Sequence, residues 1–177
     1  MKPIPTIFIF ALLAPLALSL CRNEIRKLPD YTCVKEAPIG MGARGTAYPI
    51  NRDGKNYLLK VQDLQSTYKK ELDRLEQLQD VAYVVQLIEH VKTWDKLYLV
   101  LSYASQGELG QFMEDSDYFD DIENIFSFFR KLKTGLDTIH ERGIVHADLK
   151  AENIVVDEDD NPVIIDFDIS ARIGDLE

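Results

Sequence analysis

The sequence predicts an α+β fold in two parts, rich in strands at first and mainly helical afterwards. Three observations carry this reading. Short apolar runs broken by turn signals fill residues 31–62 and 83–103, helical periodicity runs through 64–79 and 122–143, and a small hairpin pattern occupies 153–165. At 177 residues the chain has the size of one ordinary domain, with enough length to bury a core.

The elements follow in order. "YTCVKEAPIGMGARGTAYPINRDGKNYLLKVQ" reads as three antiparallel strands. The first turns at "GMGARG"; the second and third meet at Asn51-Arg52-Asp53-Gly54, where Asp-Gly suits a tight hairpin. In "LQSTYKKELDRLEQLQ", Leu64, Tyr68, Leu72, Leu75 and Leu78 form one helical stripe. "YVVQLIEHVKTWDKLYLVLSY" gives two more strands around a Trp94-Asp95-Lys96 turn. "IENIFSFFRKLKTGLDTIHERG" predicts a long helix that Gly143 ends as a C-terminal cap. No repeat, low-complexity tract or flexible linker interrupts this order.

The formal charge is −10 and the pI about 4.8. That balance excludes nucleic-acid binding through a basic face and electrostatic docking on anionic lipid. Two cysteines, Cys21 and Cys33, lack zinc spacing and cannot make a disulfide framework. They read as a buried thiol plus one near the terminus, or as a single bridge. Residues 1–19 read as a signal peptide: Lys2 precedes an apolar run, Ile7 to Leu18, and small residues at Ala17 and Ser19 suit cleavage before Leu20. The run is too short for a stable membrane span, and Pro15 interrupts it. The expected location is therefore the secretory pathway or outside the cell. Arg22, Arg26 and Lys27 just after the run keep an uncleaved anchor open. A misassigned start codon is the other alternative, and it would leave the chain cytoplasmic.

Glycines at 40, 42 and 45 fall between strands rather than before a helix, which argues against a dinucleotide-binding fold. Glycine there lets backbone N–H groups approach phosphate oxygens, although a plain glycine-rich hairpin gives the same pattern. Lys60 closes an apolar strand, where its stem lies on packed surface while its ammonium reaches a cleft. A lysine in that position is usually just solvated. It gains meaning from Glu71 on the next helix, with Glu76 as the competing partner. Asp148, Lys150, Asn153 and Asp166 are more specific. A carboxylate can orient a hydroxyl and accept its proton, and an ammonium can neutralise a moving phosphoryl group. Asn153 and Asp166 offer the hard oxygen atoms Mg²⁺ prefers beside phosphates. Loop polars that cap a helix would explain any one of these four, but not all of them flanked by short apolar strands.

From Tyr31 to Asp168 these motifs resemble the eukaryotic-type protein kinases, Ser/Thr-like by the Lys150 motif. "IGMGARGTAY" is similar to the family's glycine loop and "YLLK" to its nucleotide-anchoring strand. "HADLKAEN" resembles HRDLKxxN, and "DFD" stands where DFG is expected. The resemblance implies a five-stranded N-lobe with one helix over 31–101, and a partial, mainly helical C-lobe over 102–177 that ends just after the DFG-like motif. It implies ATP and Mg²⁺ as cofactors. Asp148 would be the catalytic base assisted by Lys150, with Lys60 paired to Glu71 and metal at Asn153 and Asp166. Nucleotide would contact Ile39, Gly40, Gly42, Gly45, Ala47, Leu58, Lys60, Leu101, Tyr103 and Val155, with Leu101 in the gatekeeper place. Leu75, Leu87, His146 and Phe167 match the family's regulatory stack.

Several residues depart from the pattern. Ala147 replaces the Arg that clamps a phosphorylated activation loop in many kinases, and Asp168 replaces the Gly of DFG. Glu71 follows Lys60 by only eleven positions. The expected Val–Ala pair around adenine becomes Ala47 and Leu58, which roughly keeps total volume. After Asp168 only "ISARIGDLE" follows, so the activation segment and peptide platform are not in this sequence. The expectation is a Mg·ATP-dependent phosphotransferase, completed by a protein partner or by self-association. The alternative is a secreted pseudokinase, or a nucleotide-binding interaction module without catalysis. A third reading treats the acidic clusters "EDSDYFDD" and "DEDD" as a docking surface for a basic partner.

Overall fold

Alternation of apolar and polar residues builds the first sheet, seen in a computed structural model that describes residues 21–175 apart from 36, 43–44 and 65–67. The expected signal peptide lies outside the described residues. Strands β1 (Thr32–Cys33), β2 (Gly40–Gly42), β3 (Gly45–Arg52), β4 (Lys55–Asp63), β5 (Leu87–Lys92) and β6 (Lys96–Ser102) form one six-stranded sheet. Its order is β1-β3-β4-β6-β5, with β2 also paired to β3. Five strands were expected. The difference is a break in the first one, whose two short pieces both pair antiparallel with β3. The β3–β4 hairpin closes through Asp53 and Gly54, both at positive φ (53° and 81°), as a type I′ turn requires.

One face of this sheet is covered by the chain's own N-terminal segment. Residues 21–24 are helical and Ile25–Lys27 form a 3₁₀ turn. Cys21, Leu28 and Tyr31 pack there with Tyr48, Ile50, Tyr57, Leu59, Val61, Tyr98 and Val100. A Cys21–Cys33 disulfide ties the segment down. Glu24 is buried and accepts bonds from Lys96 Nζ (2.5 Å) and the Tyr98 hydroxyl (2.8 Å). Burial first, and the bond to Glu24 second, push the Tyr98 hydroxyl well above the ordinary phenol range; the bond to Glu24 raises Lys96. Because side chains alternate along a strand, Ala47, Leu58 and Lys60 lie on the opposite face.

The chain divides into two compact units. The first contains the residues up to Leu64 and Ile88–Leu101; the second contains residues 65–87 and those from Ser102 onward. The lobe expected over 31–101 thus yields its helix, α1 (Tyr68–Gln77), to the second unit. In that unit Val85 N–H donates to Ile164 O (3.0 Å) and Ile164 N–H to Tyr83 O (2.9 Å), seating residues 83–85 beside Ile164.

The second unit adds α2 (Leu109–Asp115), which no pattern in the sequence marked, and the long helix α3 (Ile122–Glu141). Asp121 caps α3 through the Glu123 N–H, and Gly143 ends it at φ 71°. Gly135 lets α3 approach the 82–83 backbone: an added Cβ would lie 3.2 Å from Ala82 O and 3.1 Å from Tyr83 Cβ. Phe128, Leu132 and Ile139 are buried, whereas Ile122, Phe126 and Phe129 are exposed. Short strands follow: β7 (Ile144–Val145), β8 (Ile154–Val156), β9 (Pro162–Ile164) and β10 (Ala171–Arg172). They pair as β8–β9 and β7–β10, both antiparallel. Among the described residues no helix is long and apolar enough to cross a membrane.

Candidate active site

The loop between β7 and β8 gathers three of the residues singled out in the sequence. Asn153 is buried, and its side-chain amide donates to the Asp148 backbone carbonyl (2.8 Å) and to Asp148 Oδ2 (3.0 Å). Lys150 Nζ lies 3.0 Å from the same Oδ2. The carboxylate is therefore oriented by an amide and partly neutralised by an ammonium. With both amide hydrogens donated to Asp148, Asn153 keeps its oxygen for a hard cation. A single 3₁₀ turn, Ala151–Asn153, brings Asn153 back to Asp148, and its N–H donates to Lys150 O (3.0 Å).

His146 supports this loop from below. Its Nε2 sits 2.8 Å from Ile165 O and, facing a carbonyl, must carry the proton. Nδ1 then accepts from the Asp148 N–H at 3.3 Å. The ring packs edge-on against fully buried Phe167, with centroids 4.9 Å apart. Leu75 is buried and Leu87 half-buried. Ala147 sits at φ 65°, a left-handed conformation that is strained for alanine.

The second carboxylate, Asp166, also has positive φ (66°). Ile165 N–H donates to Asn153 O (3.0 Å), which ties the two loops together. The "DFD" turn is closed by Ser170, whose N–H (3.2 Å) and hydroxyl (2.7 Å) both donate to Phe167 O. Pairing of Ala171 with Val145 then anchors it to β7. Glu71, Asp166 and Asp168 each bring a carboxylate oxygen within 4.8 Å of the others, and Glu71 is almost wholly buried. Sequence reasoning missed this gathering. It treated Asp168 only as a replaced glycine, and no local pattern links residue 71 to residues 166 and 168.

The first unit holds the remaining candidates. Ile39 N–H donates to Ala47 O (2.9 Å) at the base of the glycine loop, and Ile39 itself is half-exposed. Ala47 pairs with Lys60 across the ladder, Leu58 with Pro49, and Leu101 is buried. Of the three loop glycines, Gly45 alone is sterically required: φ is +131°, and a Cβ would fall 2.5 Å from Val61 O. Tyr103 and Val155 belong to the second unit, both half-buried, and Val155 bridges Glu108.

Oxygen donors set beside an oriented carboxylate suit chemistry on a metal-bound phosphate. Comparison with known proteins agrees on the family. A family model described as "Protein kinase domain" matches residues 33–177. Maternal embryonic leucine zipper kinase from Xenopus laevis is 32% identical over 125 residues, covering 67% of this chain and 19% of that protein. CBL-interacting protein kinase 26 from Oryza sativa subsp. japonica is 36% identical over 88 residues, 50% of this chain and 17% of the relative. Serine/threonine-protein kinase greatwall from Canis lupus familiaris is 27% identical over 162 residues, 85% of this chain and 18% of the relative. The chain belongs to the protein kinase family. It spans about a fifth of the length of these curated relatives.

Proposed function

We propose that the chain binds Mg·ATP and transfers the γ-phosphoryl group to a Ser or Thr hydroxyl of a protein substrate. The observation that carries this is the Asp148 carboxylate held by Asn153 and Lys150. In that setting Asp148 orients the attacking hydroxyl and accepts its proton, while Lys150 offsets charge on the transferred group. Lys60 anchors nucleotide phosphates, and the glycine-loop amides approach them. The donor set fits Mg²⁺, a hard cation that prefers carboxylate and amide oxygen. Asn153 and Asp166 would hold it, and the bound ion would neutralise phosphate charge during transfer.

The Cys21–Cys33 bridge supports a place in the secretory pathway, because disulfides persist in oxidising compartments. Exposed Ile122, Phe126 and Phe129, spaced along one side of α3, support a protein contact there, with a second copy or another partner. Nucleotide binding is tested by thermal shift with Mg·ATP against ATP plus chelator. Stabilisation only with metal is expected; equal shifts, or none, would remove the metal role of Asn153 and Asp166.

A further inference from the structure

The N-terminal segment has no part in the proposed transfer, yet it is built into the first unit with unusual care. Cys21 is 1% exposed, Leu28 3% and Tyr31 4%, so three anchors sink into the sheet. Glu24 reaches across 72 and 74 positions to Lys96 and Tyr98. The family match begins at residue 33 and the kinase-like motifs at Tyr31, so residues 21–30 precede the part that resembles a kinase. The segment is an added strap. It covers the face of β3 and β4 formed by Tyr48, Ile50, Tyr57, Leu59 and Val61. Ala47, Leu58 and Lys60 sit between those residues along the same two strands, pointing the other way. Whatever loosens the strap loosens the strands that present them.

Only one covalent tie holds the strap, the Cys21–Cys33 bridge, and the chain forms no other disulfide and leaves no cysteine free. The two sulfurs are not equally placed: the residue at 21 is sealed in the core, whereas Cys33 is half-exposed on edge strand β1. A thiolate arriving from solvent therefore meets Cys33 first.

We propose that Cys21–Cys33 is a thiol-exchange clasp that makes the order of β3 and β4 depend on oxidation. A dithiol supplies the electrons. Its thiolate attacks Cys33 Sγ, a mixed disulfide forms, the Cys33–Cys21 bond breaks, and Cys21 sulfur leaves as a thiolate that takes up a proton. The second thiol of the reagent then closes on the first, and Cys33 is released as a thiol. Two electrons and two protons pass to the chain, and the dithiol becomes a disulfide. Closing a loop with this 12-residue separation restricts the open strap by roughly a hundredfold, so its reduced form opens about that much more often. Nothing in the β3–β4 ladder is cut by this, so the sheet loosens rather than disappears. In an oxidising compartment the clasp is shut and the nucleotide-presenting strands are firm; in a reducing one they are not. The consequence for nucleotide rests on the kinase reading above, while the consequence for the strands does not.

The test is hydrogen exchange by mass spectrometry on the purified chain, oxidised and after dithiothreitol, with bridge reduction read by mass in the same samples. Reduction should speed exchange of residues 21–31 by roughly a hundredfold. Residues 45–63 should follow to a smaller degree, while 122–141 stay unchanged. A Cys33→Ser variant should reproduce this without reductant, and Mg·ATP affinity should fall several-fold in both cases. Three results overturn the proposal: a bridge that survives dithiothreitol under native conditions, unchanged exchange at 21–31 and 45–63 once it is reduced, or acceleration across 122–141 as well, which would make the bridge a general staple. An oxidised chain that binds no Mg·ATP overturns the kinase reading instead, and the exchange data still decide the clasp.

Discussion

Gly45→Ala should destabilise the first unit far more than alanine at either neighbouring glycine. Gly45 has φ +131°, a conformation that costs an L-residue about 1–3 kcal/mol. Its new Cβ would also sit 2.5 Å from Val61 O and 3.2 Å from Gln62 Cβ. The first of these is backbone in the β3–β4 ladder, where Thr46 pairs with Val61, so the strands must part locally. Overpacking of that kind adds about 1–3 kcal/mol, which makes a total near 3 kcal/mol reasonable. Gly42 meets nothing within 4 Å and Gly40 only the Ala47 methyl at 3.7 Å, so alanine there should cost under about 0.5 kcal/mol. For a unit of this size the Gly45 variant should melt more than about 10 °C lower. Thermal unfolding followed by circular dichroism, with the three single variants side by side, reads the difference. Equal melting of Gly45→Ala and Gly42→Ala would refute both the loop geometry and the register at Val61.

Two further outcomes follow, one from the proposed nucleotide site and one from the exposed stripe of α3. Ala47→Val should weaken nucleotide binding by roughly 1–3 kcal/mol by overfilling the space beside adenine, and adding Leu58→Ala should restore it; calorimetric titration reads both, and a harmless single variant would mean adenine does not lie against these residues. The α3 stripe should make the chain self-associate or hold a partner, with light scattering at rising concentration as the measure. Phe126→Lys should suppress that association without unfolding, because Phe126 is exposed; a dilute-to-concentrated monomer in the parent chain would contradict it.

Local signals in the sequence were sufficient wherever neighbouring residues decide the structure. Asp53-Gly54 demanded a tight hairpin and received one, and Gly143 ends α3 because only a left-handed residue closes that turn. The candidate site loop was legible for the same reason: Asp148, Lys150 and Asn153 lie within a six-residue stretch that one 3₁₀ turn folds on itself. Long-range arrangements were not legible. The strap depends on Glu24 meeting Lys96 and Tyr98, and on Cys21 meeting Cys33, where the sequence read first as a buried thiol plus one near the terminus and kept the bridge as the alternative. The attachment of residues 83–85 to the second unit rests on Val85 and Tyr83 bonding to Ile164, some eighty positions away. Helix α2 was hidden because acidic residues follow its apolar Leu109 and Phe112, which the structure buries. Along the long helix Leu132 and Ile139 are buried, and the open stripe is confined to Ile122, Phe126 and Phe129, with Ile125 and Leu136 half-covered.

Phosphoryl transfer from γ-labelled ATP to a mixture of Ser- and Thr-containing proteins, run for the parent chain and Asp148→Asn in parallel, bears on the whole reading at once. Asn keeps the size of the side chain, so nucleotide binding should persist while transfer disappears, because the amide cannot accept the hydroxyl proton. Transfer that survives unchanged in Asp148→Asn, or no transfer by a parent chain that binds Mg·ATP with metal dependence, would contradict the assignment of Asp148 as the base of a working phosphotransferase.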